Sequence, residues 1–155
     1  MSLTREQLQG VIETCEFDRW MGLQVQSLDD TTLTMLLPFR AEIVGTPKVH
    51  RLHGGVVAGL IDATGCYLLI ALMVQRVSTA NLVVDYLRPA LGEMVAVARL
   101  VKIGRRICNV TVEVTGGDGK LAATGRLAVV PLNVAVGDED QMIGVLRGTT
   151  TSMNR

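Results

Sequence analysis

One stretch governs what this chain can fold into. From His53, Gly54 and Gly55 to Val74 the sequence is almost continuously apolar, and its one charge is Asp62. The run is long enough to be weighed as a membrane span. Asp62, four glycines and the alternating segments that follow argue instead for a buried central helix. From Thr79 to Pro131 the chain turns to short β-branched segments. A single greasy helix among strands predicts an α+β domain with a sheet wrapped around that helix. Asp62 then has to be explained, because an ionised group in apolar surroundings is costly unless paired, hydrated or functional.

The rest of the chain fits around that helix. Leu8, Val11, Ile12 and Cys15 recur at helical spacing over Thr4–Cys15, with Thr4 placed to cap and Glu6 in the first turn. Phe17, Trp20 and Met21 are expected to anchor this extra N-terminal helix on the body. Strands are expected over Gly22–Leu28 and Thr31–Leu37, turning at Asp29-Asp30. Pro38–Leu52 reads as an irregular loop. Four more strands follow, Ser78–Arg88, Glu93–Ile103, Arg105–Val114 and Lys120–Val130, the middle pair joined tightly at Gly104 and the last ended by Pro131. One domain over residues 1–131 accounts for all of this. Residues 132–155 are expected to form a tail with a short helix at Asp138–Leu146 and a disordered end at Thr149–Ser152.

Composition excludes several classes of function. Formal charge is zero and aromatics are 3%, which leaves no electrostatic footprint or stacking platform for nucleic acid. Cys15, Cys66 and Cys108 are odd in number and widely spaced, the usage of reduced thiols in a cytoplasmic protein. The first ten residues carry Arg5, Glu6 and two glutamines where an export signal needs an apolar core. His50-x-x-His53 with Asp62 resembles a metal set on paper, but no further acid or cysteine is spaced to complete it. Neither a metal nor another cofactor is expected. Cys66 has no activating base nearby, and no nucleophile-elbow pattern surrounds Ser78.

Three phrases carry a family likeness: RLHGGVVAGLIDATG, STANLVVDYLRPA and VKIGRRICNVTVEV. Over roughly Gly22 to Val130 the chain resembles the hotdog-fold acyl-CoA thioesterases of the phenylacetic-acid-degradation type, within the 4-hydroxybenzoyl-CoA thioesterase superfamily. The resemblance implies an antiparallel sheet around a central helix. It also implies a homodimer or homotetramer in which two protomers pair their sheets edge to edge, an acyl-CoA substrate, and no membrane partner.

Thioester hydrolysis needs a donor to polarise the carbonyl and a group to activate water or to attack. A helix starting near His53 leaves the N–H of Gly54 or Gly55 as an orphan donor that a substrate oxygen can approach closely. The resemblance assigns that part to Gly54. Asp62, whose apolar setting should raise its pKa toward the useful range, matches the family's general base or nucleophile. The resemblance puts a water-holding hydroxyl at Thr79, although strand parity sets Thr79 opposite Ala80, Leu82, Val84 and Tyr86 unless a bulge redirects it. His53 and Gly55 are expected to line the site. Thr46 stands where the family often has asparagine, and Arg88, Arg105 and Arg106, with Lys102, are candidates to hold coenzyme A phosphates. Two rival readings remain: a non-catalytic acyl-CoA-binding protein and a hotdog hydratase or dehydratase.

Overall fold

The structure, a computed structural model, describes residues 2–147. Thr4 opens α1 (Arg5–Glu13) with a capping box: its hydroxyl accepts from the Gln7 N–H while the Gln7 side chain accepts from the Thr4 N–H. The chain then breaks at Cys15 into a second short helix, α2 (Glu16–Met21), closed by Gly22 at φ 73°. Only one of the three expected anchors is buried. Asp18 and Met21, three residues apart on a six-residue helix, take its inward face. Phe17 and Trp20 stay 53% and 46% exposed and stack on each other, with Phe17 also reaching the cavity wall beside Gly59.

β1 (Gln24–Leu28) and β2 (Thr32–Leu37) form the expected hairpin. Its turn is fixed by the Asp29 carboxylate, which accepts from the N–H groups of Thr31 and Thr32. The stretch read as irregular loop contains a small ribbon, β3 (Val44–Thr46) against β4 (Arg51–Leu52), reversed through Pro47 and a left-handed His50. Bare Gly45 permits it: a Cβ there would meet the His53 Cα at 2.9 Å.

The central helix, α3, runs Gly54–Met73. The strands after it are β5 (Gln75–Tyr86), β6 (Met94–Lys102), β7 (Cys108–Gly116) and β8 (Leu121–Ala135), followed by α4 (Glu139–Leu146) capped by Asp138. Six strands make one antiparallel sheet in the order β1-β2-β6-β7-β8-β5. α3 lies across it, in the hotdog arrangement. It is long and apolar enough to span a membrane, but Leu60, Ile61, Leu68 and Leu69 are sealed against Met35, Met94, Val112 and Val129. Helix and β8 interlock through reciprocal glycines. A Cβ on Gly125 would lie 2.3 Å from the Ile61 side chain, and one on Gly65 2.8 Å from Leu127.

Two boundaries correct the sequence reading. Between β6 and β7 the strands stop at Lys102 and resume at Cys108, leaving residues 103–107 as a turn that replaces the tight junction expected at Gly104. β8 does not end at Pro131 but continues to Ala135. β7 begins at Cys108, opposite Val129, so beyond that point β8 has only β5 beside it, and a residue lacking an N–H is tolerated. The expected disorder at Thr149–Ser152 lies outside the described residues.

Candidate active site

Two clusters of chemistry form on α3, one at its start and one in its third and fourth turns. At the start, His53 is the N-cap and its Nδ1 accepts from the Gly55 N–H at 3.0 Å. An accepting Nδ1 places the ring proton on Nε2. The cap is held from behind by the His53 N–H on the Ile43 carbonyl and the Leu52 N–H on the Ala90 carbonyl. Of the two glycine donors the sequence left open, Gly55 is therefore taken. Among the described residues the Gly54 N–H has no hydrogen-bond partner. It is an exposed donor at the positive end of a twenty-residue helix. The Gly54 carbonyl accepts from the Tyr86 hydroxyl at 2.9 Å, tying the helix start to β5.

The second cluster is centred on Asp62, which is half-buried. Thr79 Oγ1 donates to Asp62 Oδ1 at 2.7 Å. The parity objection is resolved by a bulge: register shifts between Thr79, opposite Val129, and Asn81, opposite Ala128. Cys66, one turn beyond Asp62, lies 3.1 Å from Thr79 Oγ1 and 4.0 Å from Asp62 Oδ1. Thr79 has a single proton and gives it to Asp62, so the thiol is left to donate to Thr79. Burial, with the Asp62 and Asp18 carboxylates adding to it, pushes the Cys66 thiol up to about 12, against the opposing pull of the Thr79 hydrogen bond. Cys66 is thus a neutral donor, as its apolar setting suggested, and not a nucleophile.

Eight residues of helix separate Gly54 from Asp62, about 12 Å along the axis. The two clusters face different cavities. Gly54 borders a cleft of about 760 Å³ with His53, Gly55, Arg51, Tyr86 and Arg88. Asp62 and Cys66 border a cavity of about 1080 Å³ that is also lined by α1, α2, the first residues of β5 and Met142 of α4. The two share no lining residue.

The other candidates divide. Arg88 borders the Gly54 cleft, with its Nη1 donating to the Leu121 carbonyl. Thr46 does not itself border that cleft, but its hydroxyl accepts from Arg51, which does. Arg105 and Arg106 are exposed on the β6–β7 turn and border neither cavity. That turn leaves the sheet beside Cys108, two strands from Thr79. His50 meets the Phe39 ring edge-on while His53 Nδ1 is committed to Gly55, so the paper metal set does not converge. Sequence reasoning missed Arg51, Asp18 and Tyr67. Asp18 Oδ2 accepts from the Tyr67 hydroxyl at 2.6 Å inside the Asp62 cavity, a pair 49 residues apart in sequence that no local pattern reveals.

Residues 50–123 match the thioesterase superfamily. A solved protein of that superfamily is 28% identical, with a TM-score of 0.78 over 83% of this chain and 98% of its own. A solved conserved protein from Pseudomonas aeruginosa is 30% identical, with a TM-score of 0.68 over 76% of this chain and 94% of its own. A protein of Halobacterium salinarum named as an esterase is 29% identical over 93 residues, which are 57% of this chain and 62% of that relative. The chain thus spans less than two thirds of that curated relative.

Proposed function

The chain belongs to the thioesterase superfamily, and from that premise we propose that it hydrolyses an acyl-CoA thioester to the free acid and coenzyme A. The observation that carries this reading is the separation on α3 of a free helix-start N–H from a hydroxyl-supported carboxylate. One thioester carbonyl cannot reach both in one chain when they are about 12 Å apart. An antiparallel copy of α3 would bring Asp62 of one protomer to Gly54 of the other, giving two equivalent sites per two-fold dimer. β5 suits the pairing, since it is a twelve-residue strand that, among the described residues, pairs with β8 alone.

In that site the Gly54 N–H polarises the thioester carbonyl and stabilises the oxyanion that forms on it. Thr79 occupies Asp62 Oδ1, which leaves Oδ2 to take a proton from water. The water oxygen bonds to the carbonyl carbon, the C–S bond breaks, and the coenzyme A thiolate leaves to be protonated. His53, whose Nδ1 accepts from the Gly55 N–H, holds the helix start and in this reading does not serve as the base. That commitment weighs against a hydratase, which would need the imidazole for proton transfer. Arg51 and Arg88, at the Gly54 cleft, together with the Arg105–Arg106 turn, supply cations for the phosphates of coenzyme A. Apolar cavity walls at Val11, Ile70 and Val77 suit an aliphatic acyl group. The three cysteines are unpaired, which fits a reducing compartment, and we place the protein in the cytoplasm.

The test is thiol release from a panel of acyl-CoAs by the wild type and by Asp62→Asn. The amide oxygen of that variant still accepts from Thr79, so the fold should hold while turnover drops by at least about 10²-fold, the contribution of a general base. Near-wild-type cleavage by the folded variant would remove Asp62 from the mechanism. No cleavage of any thioester by the wild type would leave a binding protein in place of an enzyme.

A further inference from the structure

Asp18 is the most deeply buried charged residue among those described, with 8% of its surface exposed. A carboxylate has room for several hydrogen bonds. Among the described residues its side chain makes one, from the Tyr67 hydroxyl to Oδ2, and Oδ1 has no partner. Both residues border the cavity that holds Asp62 and Cys66. Asp18 and Asp62 both bear electrostatically on Cys66. Val11, Gly59, Ala63, Ile70 and Val77 are among the other residues that line the cavity. One cavity thus carries two carboxylates, Asp62 at the proposed reaction centre and Asp18 with Tyr67 apart from it.

A partly satisfied carboxylate held in low-dielectric surroundings gains most from a ligand that brings a donor. An ammonium would have to be stripped of water in a largely apolar cavity, a cost that pairing with Asp18 need not repay, and a second carboxylate would face Asp18. A neutral hydroxyl meets neither objection. Tyr67 lies five residues beyond Asp62, about 7.5 Å along the helix, which is the reach of a medium-length acyl chain. Its phenol is held protonated, chiefly by burial and then by its bond to Asp18, so it orients the carboxylate and does not compete for the ligand's proton.

We propose that Asp18, oriented by Tyr67, is a specificity subsite that accepts a hydrogen bond from a hydroxyl near the distal end of an aliphatic acyl group. This rests on the thioesterase reading and adds the substrate class. The bland alternative is that the pair only ties α2 to α3, and this alternative predicts no discrimination between substrates.

The experiment compares ω-hydroxyacyl-CoAs from butanoyl to octanoyl with the unsubstituted acyl-CoA of each length, by thiol release. At the best length the wild type should prefer the hydroxylated substrate in kcat/KM by at least about tenfold, because a site built around a hydrogen bond rejects the analogue lacking it. Replacing both partners with apolar groups, Asp18→Leu with Tyr67→Phe, leaves no orphaned polar atom and should fold. That variant should lose the preference while still cleaving the unsubstituted chain. Tyr67→Phe alone keeps the acceptor but removes the bond that orients it, so the preference should shrink without vanishing. Equal cleavage of both series by the wild type, or a preference that survives the double substitution, overturns the subsite and leaves the thioesterase standing. If neither series is cleaved, the thioesterase reading falls and the subsite with it.

Discussion

The two chemical clusters of the active-site helix, one at its start and one near its middle, are built in different ways. At Gly54 the chemistry is local: a histidine cap two residues before the Gly55 N–H it accepts, and a free amide between them. At Asp62 the chemistry is tertiary. Its hydroxyl comes from Thr79, seventeen positions on. It arrives only because β5 bulges there, and a buried thiol holds it from the other side. A local site is legible in sequence and changes little when distant residues change. A tertiary site depends on packing, and its members have to be found in the fold.

The largest expected effect breaks the comparison by asking whether the two clusters work on one substrate. Gly54→Pro removes the N–H at the first helical position, where proline is often tolerated. A Cβ there would meet the Tyr86 ring at 3.6 Å, an ordinary contact. Loss of one oxyanion donor should cut turnover by about 10²–10³-fold with helical circular dichroism retained. Mixed with Asp62→Ala and allowed to exchange, about half the dimers would hold one chain of each kind. Each of these has one site with both groups intact, so activity should return to about a quarter of wild type. Exchange without any return of activity would mean that the two clusters serve separate purposes.

The same contrast explains what was readable in advance. The helix start, its capping histidine and the two glycine donors were all visible as contiguous text. So was Asp62, a lone charge in an apolar run. The alternation that set Thr79 on the wrong face was correctly read, and the bulge that turns it inward leaves no local mark. Pro131 misled for a related reason: whether a proline ends a strand depends on which neighbour is still beside it, and that is a property of the sheet. Phe17 and Trp20 looked like anchors because aromatics bury area well, but a six-residue helix has one inward face and Asp18 with Met21 occupies it. Asp18 itself, the charge buried with a tyrosine from another helix, had no signature at all.

A smaller effect sharpens the account of the Gly54 side. Arg51 and Arg88 border that cleft, whereas Arg105 and Arg106 stand on a separate turn. If that turn reaches the phosphates, Arg105→Ala with Arg106→Ala should raise KM for an acyl-CoA by roughly tenfold at unchanged kcat. A short thioester lacking the nucleotide should be unaffected. Equal losses on both substrates would make the turn structural, leaving Arg51 and Arg88 as the phosphate contacts.

The smallest effect probes the tertiary side through Cys66. Its thiol donates toward Thr79, which in turn donates to Asp62, so its part is to keep the threonine proton aimed at the carboxylate. Cys66→Ser preserves a donor and should keep turnover within about threefold, whereas Cys66→Ala should cost about one hydrogen bond, roughly five- to tenfold. Rescue by serine separates positioning from mere volume, since alanine and serine both shrink the side chain. The raised thiol also has a stability signature. A group whose pKa is higher folded than unfolded contributes fully below the unfolded value and loses that contribution as pH rises through the folded one. For Cys66 the window runs from the ordinary thiol value of 9.0 to about 12. The melting midpoint of the wild type should therefore fall across that range more steeply than that of Cys66→Ala. Tyr67, also raised by burial, contributes to the slope of both proteins and cancels in the difference. Parallel slopes would mean that the thiol is not shielded as the Asp62 cluster requires. The carboxylate would then be working in a wetter and less ordered setting than the helix start it is paired with.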